Sequence, residues 1–104
     1  MYVKVYEYHI PTDKIKEYFC IQEKASNIYR KYIDSTTTYL QSNDDPTKWL
    51  EITTYQSEQD YHANIALINE QTEIDALFQE FQALLHPKNS QIKEKNFTKI
   101  TEIK

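Results

Sequence analysis

Trp49 and Tyr55 are the residues of this 104-residue chain whose types and spacing best suit chemistry on a flat organic molecule. They bracket the run Lys48 to Tyr55. Even spacing puts them on one face of an extended segment together with Glu51 and Thr53, while Leu50 and Ile52 take the other face. An indole offers a stacking surface, and a phenol offers a donor to a developing oxyanion. The competing reading is a strand tryptophan packed in the core and a strand-end tyrosine with its hydroxyl in water. Glu7 and His9 alternate on the first strand in the same way. With His62 they would supply carboxylate and imidazole to a metal or a proton relay. Nothing in the sequence places His62 beside them, and no metal is assigned.

Other chemistry-bearing residues read more plainly. His86 closes a helix and suits free carbonyls and the helix dipole. Cys20 flanks an apolar helical stripe with no acid or base spaced to activate it, the pattern of an inert, partly buried thiol. Asn43-Asp44-Asp45 is a solvated turn.

Composition removes whole classes of function. The chain has no glycine, so it lacks the residue on which phosphate-cradling loops depend. It has no serine in a nucleophile elbow and no Cys/His metal spacing, and no cofactor is assigned. A net charge of −4 without a basic stripe disfavours nucleic acid as a partner. The one cysteine precludes an internal disulfide and points to a cytoplasmic home. No apolar run reaches membrane-spanning length, so no membrane partner is expected. Met1-Tyr2-Val3-Lys4 leads directly into a strand, and no leader segment is expected.

The elements that must position these residues follow from periodicity. Residues 2–10 alternate, with Val3, Val5, Glu7 and His9 on one face and Tyr2, Lys4, Tyr6, Tyr8 and Ile10 on the other. Both faces carry apolar groups. One face must meet the helices, and the other, expected to be the tyrosine face, would expose too much apolar ring surface in a monomer, which points to a homodimer. Pro11 ends the strand, Thr12 is an N-cap, and Ile15, Tyr18, Phe19, Ala25, Ile28, Tyr29 and Tyr32 mark a helix from Asp13 to about Ile33. Thr36–Gln41 and Lys48–Tyr55 form a hairpin around Asn43–Thr47. Ser57 caps a helix bearing Tyr61, Ile65 and Ile68. The pattern weakens at Asn69-Glu70-Gln71, and a second cap-like Thr72 opens the strongest stripe in the chain, Ile74 to Leu85. Pro87 stops it. Residues 91–103 read as a last edge strand, with a bulge suggested by the mixed parity of Phe97, Ile100 and Ile103. The length fits one domain, 1–104. Strand, helix, two strands, helix, strand is an α+β sandwich of the ferredoxin-like βαββαβ kind, an antiparallel sheet with its helices on one face.

The capped first helix, the strand Lys48-Trp49-Leu50-Glu51-Ile52 running into Tyr55-Gln56-Ser57-Glu58, the broken second helix and Phe97 of the last strand together resemble the dimeric α/β-barrel superfamily. Within it the chain is most similar to antibiotic-biosynthesis-monooxygenase-like domains. The resemblance implies dimers packed sheet against sheet, and small-molecule binding with cofactor-independent oxidation of an aromatic substrate. It makes Trp49 and Tyr55 the catalytic candidates, and Trp49, Tyr55, Tyr61 and His62 the ligand-binding set, under a lid at Asn69–Thr72. The oxygenase pattern has an Asn shortly before its Trp, where this chain has Asp45. The haem-degrading pattern has an Asn on strand one, where this chain has none. A non-catalytic binding or interaction module with the same fold is the alternative.

Overall fold

The computed structural model describes all 104 residues. The chain runs β1 (Tyr2–His9), a short 3₁₀ turn (Thr12–Lys14), α1 (Ile15–Tyr29), β2 (Ser35–Gln41), β3 (Lys48–Tyr55), α2 (Glu58–Asn69), α3 (Thr72–Leu84) and β4 (Lys93–Thr98). The four strands form one antiparallel sheet in the order β2-β3-β1-β4. Both strands flanked on two sides, β1 and β3, are the ones richest in large apolar and aromatic residues. The helices cover one face, giving the ferredoxin-like α+β sandwich. The shortest dimension of the molecule, 19 Å between Cα atoms, leaves room for only one sheet and one helical layer.

The tyrosine face of β1 is the one that meets the helices. Tyr2, Lys4, Tyr8 and Ile10 are buried there, and Trp49, Thr53 and Tyr55 of β3 lie on the same side. The opposite face, carrying Val3, Val5, Leu50 and Ile52, is uncovered in the single chain. The core divides into two clusters. One gathers Tyr8, Ile10, Tyr18, Trp49, Phe81 and Leu85. The other gathers Tyr2, Ile33, Tyr55 and Ile68.

Turns are built without glycine, and no residue takes a positive φ. Side chains do the work instead. Between β2 and β3 the Ser42 hydroxyl accepts from the amides of Asp44 and Asp45, each at 3.2 Å. The Asp45 carboxylate accepts from the Thr47 amide at 3.0 Å and from its hydroxyl at 2.7 Å.

Several boundaries differ from the sequence expectation. The first helix starts as a 3₁₀ turn whose cap position is Pro11; Thr12 lies inside it and caps nothing. The α-helix ends at Tyr29, and Arg30 to Tyr32 form turns, because Ile33 must swing inward to the second cluster. Ser57 does cap α2, accepting from the Asp60 amide at 3.0 Å. The chain breaks after Asn69 as expected, but Thr72 is a helical residue, and Gln71 precedes it with no side-chain cap. The last strand is only Lys93–Thr98, with continuous register against β1 and no bulge. Ile100 and Ile103 lie beyond it at 87% and 90% exposure, so their parity reported no strand. Cys20 is exposed.

The two caps make a direct comparison. Ser57→Ala should cost about 1 kcal/mol, the usual cost of losing a helix N-cap. Thr72→Ala should change stability by less than about 0.5 kcal/mol, as for a surface substitution that breaks no cap. Urea midpoints at unchanged m-value measure both. Equal effects would mean that Thr72 caps after all.

Candidate functional site

A cavity of about 990 Å³ opens between the sheet and the helices. Its floor is the inner face of the sheet between the two core clusters: Tyr6 of β1, Glu51 and Thr53 of β3, and Thr37 and Tyr39 of β2. Strand pairing brings these together, because Glu51 stands directly between Tyr6 and Tyr39 in the register. Tyr29 of α1 and Tyr61 of α2 add two more phenols, and Leu77 and Phe81 of α3 close the far wall.

Glu51 is the chemical centre. Its accessible surface faces the cavity, and protein atoms enclose its other sides. The Tyr8 hydroxyl donates to Glu51 Oε1 at 2.7 Å, and the Tyr18 hydroxyl lies 2.6 Å from that of Tyr8. Tyr18, Tyr8 and Glu51 thus form a hydrogen-bonded chain from α1 through β1 to β3. No lysine, arginine or histidine pairs with Glu51. Burial therefore raises the carboxyl's pKa, and the Tyr8 hydrogen bond opposes that rise only in part. Burial likewise raises the phenols of Tyr6, Tyr8, Tyr18, Tyr39 and Tyr55, and pushes Tyr29 up to about 12. These phenols remain neutral hydrogen-bonding groups in the physiological range.

The expected site residues are placed in three ways. Tyr55 and Tyr61 line the cavity, with ring centroids 4.8 Å apart. Trp49 does not reach the wall. It shares the inner face, as its parity requires, but stands one step along β3 beyond Glu51, in the first core cluster. There its ring lies 5.2 Å from Tyr18 and 5.4 Å from Phe19, and its buried Nε1 has no hydrogen-bond partner. His62 is exposed on the outer side of α2, 3.4 Å from Glu58 Oε1. Asn69, at the helix break, lines the cavity.

The metal combination does not assemble. His9 sits at the opposite end of β1 from the Tyr2 ring that His62 approaches, and bonds instead to Thr47 Oγ1 at 3.0 Å. Glu7 pairs with Lys48 and Lys93 at 3.6 and 3.5 Å. No cluster of three or more His, Cys, Asp or Glu forms. His86 accepts a hydrogen bond from the Lys88 amide through Nδ1, rather than donating to helix carbonyls. Glu51 itself was missed by the sequence reading, although it shares the face of Trp49 and Tyr55. The available signal was an acidic residue at an inward position of a central strand, where a charge is costly.

No protein-family model matches the chain. No curated protein matches its sequence. Solved structures do match its fold. A protein from Nitrosomonas europaea assigned as an antibiotic biosynthesis monooxygenase aligns over 97% of this chain and 100% of its own, at 19% identity and a TM-score of 0.70. An uncharacterized NIPSNAP domain protein from Burkholderia xenovorans aligns over 100% and 99%, at 12% identity and a TM-score of 0.75. A protein from Deinococcus radiodurans, assigned like the first, aligns over 100% and 97%, at 8% identity and a TM-score of 0.71. The chain therefore shares its fold with proteins assigned as antibiotic biosynthesis monooxygenases and with a NIPSNAP domain protein.

The raised carboxyl makes a pH prediction. Between the ordinary Glu pKa of 4.5 and the higher folded value, the native state holds more protons than the unfolded chain. Stability supplied at this site therefore falls as pH rises through that window. Glu51→Gln keeps an acceptor for Tyr8 and removes the titration. Its stability relative to wild type should rise progressively above pH 4.5 and be least favourable below it. Urea unfolding of both proteins at several pH values tests this, and parallel stability curves would refute it.

Proposed function

We propose that this protein binds a small aromatic molecule between its sheet and its helices and oxidises it in the manner of a cofactor-independent monooxygenase, as a cytoplasmic homodimer. The single observation that carries the reading is the phenol-lined cavity with Glu51 on its floor. A volume of about 990 Å³ is ample for a molecule of two or three fused rings. Tyrosine rings provide flat apolar contact, and their neutral hydroxyls orient polar substituents. In such a reaction Glu51 would take the proton of a substrate hydroxyl or acidic C–H, with Tyr8 holding the carboxylate in place. The electron-rich carbon would then react with dioxygen, the co-substrate: the O–O bond breaks, one oxygen stays on carbon as the new carbonyl of a quinone, and the other leaves as water with the substrate's two hydrogens, so the substrate itself supplies the electrons. The fold's appearance in proteins assigned as antibiotic biosynthesis monooxygenases supports the reading.

One observation favours the alternative of a non-catalytic binding module: the indole of Trp49 is committed to the core. Protein-detected NMR with a panel of two- and three-ring phenols, beside oxygen-electrode assays on the same mixtures, separates the two. The oxidation reading expects shifts at Tyr6, Tyr39 and Tyr55 together with oxygen uptake. Shifts without uptake would select the binding module. No shifts at any phenol would remove both. If turnover occurs, Tyr55→Phe should lower kcat more than it alters KM. Trp49→Phe should leave KM within about twofold, since the indole packs behind the wall against Tyr18 and Phe19 and does not itself line the cavity.

The assembly rests on the uncovered sheet face. Leu40, Leu50, Ile52, Val5, Val3 and Phe97 form an apolar band across all four strands. Leu40 and Phe97 are 46% and 51% exposed in the single chain. A two-fold pairing of such a band is the commonest way to cover it. Sedimentation at micromolar concentration should give twice 12.5 kDa. Ile52→Lys should weaken association by roughly a hundredfold, the effect of an unpaired charge at an interface centre. A wild-type monomer at that concentration would overturn the assembly.

A further inference from the structure

We propose that the cavity selects ligands bearing a cationic nitrogen, an ammonium group attached to an aromatic or apolar frame, which docks against Glu51 and the surrounding phenol rings. The inference deepens the proposed function and rests on the same cavity being a ligand site. It names the charge of the ligand.

The first support is the state of Glu51. Oε1 accepts from Tyr8, and Oε2 has no hydrogen-bond partner within the protein. No cation pairs with the carboxylate: β1 and β2 present Tyr6, Tyr8 and Tyr39 to it and α1 presents Tyr18 and Tyr29, while the nearby Lys4 of β1 pairs with Glu94 and Arg30 is exposed. A carboxylate largely enclosed by protein and left unpaired is costly unless a cation or donor joins it from the cavity side. A ligand ammonium at Oε2 supplies that partner.

The second support is the balance of charge along the wall. The ionisable acids are Glu51, Asp75 and Glu94, and the one base is Arg30. Glu94 is already paired, 3.7 Å from Lys4 Nζ. Arg30, just past the end of α1, is exposed and donates to the side chain of Asn27 on that helix. Arg30 and Asp75 are exposed to solvent, so the one unpaired ionisable group on the cavity floor is the acid Glu51, and a phenolate or carboxylate ligand placed there would meet it at short range.

The third support is that these rings already hold a cation. The Lys4 ammonium lies 4.9 Å from the Tyr61 centroid, 5.6 Å from Tyr2 and 6.0 Å from Tyr6, and the residue is only 5% exposed. Tyr6 and Tyr61 are cavity-lining rings that contact this internal ammonium. Tyr29, Tyr39 and Tyr55 line the same cavity and contact no cation of the chain. They offer a ligand the attraction that their neighbours give Lys4.

The test uses one ring system in three charge states: 2-naphthylmethylammonium, 2-naphthalenemethanol and 2-naphthoate, each titrated into the full-length protein at pH 7 and followed by protein-detected NMR. The ammonium should bind at least about tenfold more tightly than the alcohol, the ratio set by one charge-assisted contact of about 1.4 kcal/mol. Naphthoate should bind more weakly than the alcohol. Glu51→Gln should remove the ammonium's advantage over the alcohol, since the charged contact is lost. Equal binding of all three, or tightest binding of naphthoate, would overturn the cation preference while leaving the cavity as a ligand site. Absence of shifts at cavity residues with all three would overturn both. The wild-type ranking decides the matter by itself should the variant fail to fold.

Discussion

The structure depends on the satisfaction of one buried set of hydroxyls. Placing the tyrosine face of β1 against the helices brings large rings indoors, but each ring carries a polar tip that cannot be left alone. The chain Tyr18–Tyr8–Glu51 solves this for the most deeply buried pair: Tyr8 is 1% exposed and Tyr18 is 0% exposed. The same three residues come from α1, β1 and β3, so the polar chain also fixes how the first helix lies on the sheet. An apolar core would hold these layers less specifically, because leucine contacts tolerate sliding and short hydrogen bonds do not. Trp49 packs beside this chain, which is why its indole belongs to the framework and not to the cavity wall.

The cavity follows from that arrangement. The core is concentrated at the two ends of the sheet, one cluster around Tyr8 and Trp49 and the other around Tyr2 and Tyr55. Between them the floor is made of Tyr6, Glu51 and Tyr39, residues too polar to be sealed over. The interrupted helix spans this middle region. A continuous helix through Asn69–Thr72 would carry a single straight stripe, whereas the break lets Ile68 enter the second cluster and Phe81 the first. The cavity lies between those two anchoring points.

Much of this was legible in the sequence, and the exceptions have physical causes. The third strand was read to its exact ends, and the parity of Trp49, Glu51, Thr53 and Tyr55 placed all of them on the inner face. Parity reports a face, however, and not a position along it. Trp49 and Glu51 are two residues apart on one strand, yet one is core and the other is cavity floor. That difference depends on what the helices cover, which no strand pattern contains. Helix periodicity likewise gave the stripes but not their ends: Thr12 and Thr72 both looked like caps, and neither side chain caps. His62 followed the family pattern onto the second helix, but a helix turns through 100° per residue, and one position beyond the inward Tyr61 faces water. The mixed parity at Ile100 and Ile103 described a tail, since strand pairing had already ended at Thr98.

The neighbours that share this fold at 8 to 19% identity differ from the chain at most positions, so the fold carries no residue-level chemistry across to it. What distinguishes this cavity must therefore be sought in its own wall. A carboxyl without a countercharge is the least expected element there, since a glutamine at the same position would keep the Tyr8 hydrogen bond without the burden of a buried ionisable group. Thr53, the next inward residue of the same strand, is neutral and is satisfied within the sheet by Thr37 at 2.9 Å. Both the proton-accepting role and the preference for a cationic ligand start from this one residue, Glu51, and both ask the same thing of it: a carboxylate enclosed by protein on all but its cavity side, held on one oxygen by Tyr8 and left open on the other.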